Sequence, residues 1–168
     1  TATLTITDNT SPSSKVVGAN EITISTNAFG ARSVFAADVD GDGDVDVLSG
    51  WFAGDKIVLY LNEGSNNFTE QTISTNANGA QSVFAADVDG DGDVDVLSAS
   101  WNDKKIALYV NDGSNNFTEQ TISTNANKAV SVFAADVDGD GDVDVLSASA
   151  GDNKIALYLN EGSNNFTE

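Results

Sequence analysis

The chain contains no cysteine, no histidine and no methionine, one proline, and only seven lysines and arginines among 168 residues. Without thiolates or imidazoles, disulfides are excluded, and so are zinc or haem sites built on those groups. Set against 26 acidic residues, so few bases leave a net charge of −19. That charge argues against nucleic acid and anionic membrane surfaces as partners, because phosphate needs a basic face. No apolar run approaches the ~20 residues of a membrane helix, so membrane insertion is not expected. The sequence starts at Thr1 with neither an initiator methionine nor a signal-peptide pattern. It therefore reads as a processed product or a piece of a longer chain.

What the chain does have is repetition. The run SVFAADVDGDGDVDVLS begins at Ser33, again at Ser82 and again at Ser131, a period of 49 with no insertion. The second and third copies agree at 34 of the 41 positions they share, which points to recent duplication or to design. Each repeat reads as four short strands, in the second copy Ser82–Ala86, Val94–Ser98, Lys105–Val110 and Asn116–Thr124. Glycine-rich and Asn/Asp-rich turns separate them. Strands partly apolar on both faces suit small sheets covered on both sides. The fold class expected is all-β, a β-propeller of four-stranded antiparallel blades with three 49-residue repeats; a β-solenoid is the alternative. The segments are 1–19 outside the repeat, 20–29 as a strand completing a blade, and repeats at 30–78, 79–127 and 128–168.

Each repeat carries the nonapeptide DVDGDGDVD. Its carboxylates are Asp38, Asp40, Asp42, Asp44 and Asp46, then Asp87, Asp89, Asp91, Asp93 and Asp95, then Asp136, Asp138, Asp140, Asp142 and Asp144. A hard cation such as Ca²⁺ takes six to eight oxygens at ~2.3–2.6 Å. Carboxylates at loop positions 1, 3 and 5 converge on one ion if the chain coils tightly, and the glycine at position 6 permits that turn. Position 7 offers its backbone carbonyl and position 9 closes the cage. One Ca²⁺ per repeat, three per chain, is the expected cofactor. A solvated acidic turn and an EF-hand are the competing readings. Position 12, where an EF-hand needs glutamate, is Ser49, Ser98 and Ser147 here, and the flanks are strand-like.

The DxDxDGxxD loop between two strands, recurring about every 50 residues, resembles the FG-GAP and VCBS-type repeats of integrin-like propellers. The resemblance covers roughly residues 21–168. The Phe-Gly signature is reduced to Phe29-Gly30-Ala31, and later copies read NGA and NKA. The resemblance implies a loop that joins the first two strands of a blade and binds one calcium. It also implies an extracellular or cell-surface setting, with a bacterial source, and a function in scaffolding, adhesion or sugar binding.

The sequence stops at NFTE within a fourth strand, while Glu21–Thr26 (EITIST) matches the second half of the later fourth strands (EQTIST). Two chains exchanging these strands would form a homo-oligomer, a dimer with six blades; a larger ring, an open stack or a filament are alternatives. Residues 2–9 alternate as a strand would, and 11–14 read as a linker. The repeats differ mainly at the end of the blade away from the aspartate loop. Arg32, Gln81 and Val130 occupy one equivalent position, Gly30, Gly79 and Lys128 another, and Phe52, Trp101 and Ala150 a third, with Trp51 next to Phe52. Arg32, Trp51, Phe52, Gln81, Trp101 and Lys128 are the candidate ligand face, for a glycan or an extracellular protein; drift or packing between blades is the competing explanation. Tyr60, Tyr109 and Tyr158 read as core. Three functions are weighed: a calcium-stabilised, non-catalytic scaffold or adhesion module; a lectin-like propeller; and an engineered, fragmentary or filament-forming repeat without a small ligand. An enzyme is not expected, since an active site is usually unique in a chain whereas these clusters recur.

Overall fold

A computed structural model describes residues 21–162 and 164–168. It shows twelve strands in three four-stranded antiparallel sheets. The first sheet holds β1 (Ala31–Ala37), β2 (Asp46–Trp51), β3 (Lys56–Asn62) and β4 (Phe68–Ser74) in chain order. The second holds β5 (Ala80–Ala86), β6 (Asp95–Ser100), β7 (Lys105–Asn111) and β8 (Phe117–Ser123). The third holds β9 (Ala129–Ala135), β10 (Asp144–Ser149), β11 (Lys154–Asn160) and the two-residue β12 (Phe166–Thr167). The four strands expected in each repeat are met in their expected order, with no helix among the described residues.

The first strands of the three sheets lie side by side, and their phenylalanines form a ladder. Phe35 and Phe84 have ring centroids 4.7 Å apart, and Phe84 and Phe133 are 4.5 Å apart. Tilted contacts at this spacing are favourable for aromatic rings. Burial on both faces explains why β6 is apolar or small throughout apart from its first residue. One face of a sheet packs forward on the next sheet, and the other packs back on the previous one. Leu48, Ile57 and Leu59 of the first sheet meet Val83, Val96, Ala107 and Tyr109 of the second. Leu97, Ile106 and Leu108 meet Val132, Val145, Ala156 and Tyr158 in the same way, 49 residues on.

Polar crosslinks repeat with the cores. Val83 N donates to Ser33 Oγ at 3.1 Å and Val132 N to Ser82 Oγ at 3.3 Å. Asn111 Nδ2 donates to Val39 O at 3.4 Å and Asn160 Nδ2 to Val88 O at 3.2 Å. Gln71 Nε2 and Gln120 Nε2 donate to the carbonyls of Asn115 and Asn164, each at 2.6 Å. All three tyrosines are buried, as expected.

Residues 1–19 lie outside the described residues, so the strand at 2–9 and the linker at 11–14 have no structural account. Glu21–Thr26, expected as a strand, forms no ladder in this chain. It runs instead across the free side of the first sheet, where Glu21–Ser25 and Val34, Val47 and Tyr60 line an open cleft of about 290 Å³. A strand needs hydrogen-bonded neighbours, and this sheet offers its face here, not an edge.

Candidate metal centres and the opposite end of the blades

Each aspartate loop joins the first and second strands of its sheet. The chain coils there because glycine supplies positive φ, as at Gly41 (74°) and Gly43 (95°), a region costly for other residues. Within the coil, side chains hold the backbone. Asp38 accepts from Gly41 N at 2.9 Å and Gly43 N at 3.0 Å. Asp40 accepts from Asp42 N at 3.2 Å, and Asp42 from Asp44 N at 2.8 Å. The second and third loops repeat the set, with Asp87 and Asp136 in the role of Asp38.

The aspartate at position 9 is different in kind. Asp46, Asp95 and Asp144 are buried. Asp95 Oδ2 accepts from Val88 N at 2.9 Å and its Oδ1 from Asn111 N at 2.8 Å. One carboxylate thus clamps the start of the loop to the end of the third strand. Asp46 and Asp144 do the same with Val39 and Asn62, and with Val137 and Asn160. Burial pushes the Asp95 carboxyl up to about 6, against the lowering effect of its two backbone donors, and the charges of Asp89 and Asp91 add to the rise. Burial also raises Asp40 and Asp89, opposed by a backbone donor and reinforced by neighbouring carboxylates. For Asp138 the donor from Asp140 N is the largest influence and lowers the value. Burial and three aspartates together outweigh it, and the net shift is upward.

Carboxylate oxygens converge in every loop. Those of Asp38, Asp40 and Asp42 lie within 4.8 Å of one another, as do those of Asp87, Asp89 and Asp95, and of Asp136, Asp138 and Asp144. An all-oxygen, strongly anionic donor set fits a hard cation of the calcium or magnesium kind. The part of the upward shifts that neighbouring carboxylates add to burial is what a cation would relieve. Asp46, Asp91 and Asp140 stay outside the converging triads. So do Asp44, Asp93 and Asp142, which point at the turn between the third and fourth strands. A Cβ on Gly113 would stand 2.5 Å from Asp93 Oδ2. Sequence reasoning passed over Gly64, Gly113 and Gly162; their place beside an aspartate comes from sheet pairing across the third strand.

The opposite end carries the differences between repeats. Arg32, Gln81 and Val130 each sit at the register shift of a first strand, where a bulge leaves one residue unpaired. Gly30, Gly79 and Lys128 all have positive φ, Lys128 at 56°. Their variation is matched by their neighbours. A Cβ on Gly79 would stand 2.7 Å from Asn102 Nδ2, and one on Gly30 would stand 2.9 Å from Ala53 Cβ. The third position of that set is Gly151, and there a side chain, Lys128, is present. Lys128 lays its ammonium 5.3 Å from the Trp101 ring centre across the seam between sheets. Arg32 lies 5.0 Å from the Phe52 ring centre. Phe52, Gln81 and Trp101 are half-buried and Arg32 and Lys128 exposed. Trp51 departs from the expectation of an exposed ligand face: it is buried against Val58 and Tyr60 of its own sheet, with Ala28 of the segment ahead of the first strand packed on the cluster.

The comparisons with known proteins agree with this architecture. The profile of the FG-GAP-like repeat family matches at residues 38–98, 87–147 and 136–168. Among solved structures, the chain is similar to an Agrocybe aegerita lectin described for specific recognition of non-reducing terminal N-acetylglucosamine. The TM-score is 0.56 at 21% identity, over 80% of this chain and 37% of that one. A second similarity is to virginiamycin B lyase from Staphylococcus aureus, with TM-score 0.46 and 16% identity, over 83% of this chain and 45% of that one. The chain thus spans less than half the length of either. No curated protein matches it. The sheets are propeller-like blades, and the chain belongs to the FG-GAP-like repeat family.

Proposed function

We propose that this chain is a calcium-stabilised, non-catalytic repeat scaffold that works as an interaction module in an extracellular setting. The observation that carries the reading is threefold recurrence: one carboxylate-only cluster per blade, built on the same hydrogen bonds each time. A recurring cluster that clamps strands together supports a structural role more than a catalytic one. Asp38, Asp40 and Asp42, then Asp87, Asp89 and Asp95, then Asp136, Asp138 and Asp144 would hold the ions, and the backbone bonds of Asp46, Asp95 and Asp144 would tie each loop to its sheet. The ion supplies positive charge to a loop that otherwise repels itself. Extracellular calcium modules bind at about 10⁻⁴–10⁻³ M, so millimolar calcium suits them.

The test is thermal or denaturant unfolding in chelator and in calcium, with calcium counted by equilibrium binding. At calcium ten times the dissociation constant, each site adds about 1.4 kcal/mol by mass action, so three sites add about 4 kcal/mol. Three ions per chain and a stabilisation of that order are expected. Equal stability in chelator and calcium would refute the metal assignment.

A further inference from the structure

We propose that the forward face of the third blade seats on the free face of the first blade of a second copy, head to tail, and that two copies close a six-bladed ring. Two faces expose apolar side chains among the described residues, although Val58 and Tyr60 of the first blade are already buried, and each exposed residue has buried counterparts elsewhere in the chain. Ile155 is 75% exposed, whereas Ile57 and Ile106 are 0% exposed. Val34 is 71% exposed, whereas Val83 and Val132 are 4% exposed. Phe133 stands 52% exposed at the end of the phenylalanine ladder.

The two internal seams identify what covers these faces. Phe133, Leu146, Ile155 and Leu157 repeat Phe84, Leu97, Ile106 and Leu108, residue for residue. Val34, Val47 and Tyr60 repeat Val83, Val96 and Tyr109, with Val58 in place of Ala107. A forward face of this composition already packs on a back face of this composition twice in the chain. The polar crosslinks extend as well. Ser131 Oγ stands where Ser33 and Ser82 accept from Val83 N and Val132 N, so it would take Val34 N of the second copy. Asn62 of the second copy would donate to Val137 O, as Asn111 and Asn160 donate to Val39 O and Val88 O.

The edge of the third blade fits the same partner. β11 pairs with β12 only at Leu159↔Thr167 and Asn160↔Phe166. In the first blade the ladder continues through Tyr60↔Glu70, Leu59↔Gln71, Val58↔Thr72 and Ile57↔Ser74. The matching edge of β11, Ile155–Tyr158, has no fourth-strand partner among the described residues. Glu21–Ser25 is the counterpart of Glu70–Ser74 and already lies across the first blade, with Ser25 against Tyr60 as Ser74 lies against Tyr109. In the complex, Ile22 of the second copy would face Leu157, Thr23 would face Ala156, and Ser25 would face Ile155. This is strand addition to an open edge. Ile22 replaces a glutamine, so this seam lacks the bond that Gln71 and Gln120 make in the others. The contact is heterologous and must close or run on. Two copies of the three described blades give six, within the about four to eight blades of propellers.

Native mass of the 168-residue chain in millimolar calcium tests the proposal. Twice 17.4 kDa, or 34.8 kDa, is expected. Val34→Glu and Ile155→Glu each place a charge on an exposed side chain and should each give a 17.4 kDa monomer with an unchanged β-sheet circular dichroism spectrum. Mixed in equal amounts, they should recover a 34.8 kDa heterodimer, because one of its two seams is then free of substitutions. A monomeric parent chain, an open ladder of higher masses, or a face-to-face dimer that only one substitution disrupts and mixing does not rescue would each overturn it.

Discussion

The two ends of each blade treat variation in opposite ways. At the aspartate end, the loop DVDGDGDVD is identical in all three repeats. At the other end, residues change but change together: Gly79 goes with Asn102, and Lys128 with Gly151 and Trp101. The difference has a physical source. A loop residue that accepts two backbone donors while converging with two other carboxylates has no substitute of the same shape and charge. A side chain at a bulge or a seam needs only a neighbour that leaves it room. Variation at the far end therefore reads as compensated packing, and the ring faces of Phe52 and Trp101 are partly taken by the protein's own cations.

The sharpest way to break this contrast is Asp95→Ala. It removes the acceptor of two buried N–H groups, those of Val88 and Asn111. Each orphaned donor costs roughly 1–3 kcal/mol, so a loss of about 4 kcal/mol is expected in denaturant unfolding with chelator present. A loss below about 1 kcal/mol would show that water takes over the role of the clamp.

The next effect is in pH. Asp95 has a folded value of about 6 against an ordinary 3.8, so the folded state holds its proton more tightly than the unfolded chain. Its contribution is fully present below pH 3.8 and is lost as pH rises through 6. Without calcium, stability should therefore increase as pH falls from 7 towards 4, by on the order of 3 kcal/mol from this group. With calcium the trend should reverse, since the ion needs ionised carboxylates. Melting temperatures across that range, with and without chelator, decide it; a calcium-free curve that falls on acidification would contradict the assignment.

The smallest effect belongs to the variable end. Trp101→Ala removes a half-buried ring and one cation–π contact, the latter worth about 0.5–1 kcal/mol at an exposed site. A total loss of about 1 kcal/mol is expected, with calcium affinity unchanged. A loss as large as that of Asp95→Ala, or weaker calcium binding, would erase the distinction between the two ends.

Much of this molecule was legible beforehand, for local reasons. Strands such as Lys105–Asn111 announce themselves by apolar runs between turn residues, and the aspartate loops by spacing alone. What was not legible depends on residues brought together from other strands or blades. Trp51 read as an exposed aromatic beside a variable loop; its burial depends on Val58 and Tyr60 across the sheet. Glu21–Thr26 read as a strand; a strand exists only with a hydrogen-bonded neighbour, and this chain presents it with a face. The glycines against Asp44, Asp93 and Asp142 were invisible because they act on another strand's loop.

By itself, then, the sequence determined the four strands of each repeat, the period, and the number of aspartate loops, since these follow from local chemistry repeated every 49 residues. Only the tertiary structure decided which aspartates converge, which one clamps, and which apolar faces find no partner within the chain. Those depend on the register between strands and on stacking between sheets, both set by packing at a distance along the chain.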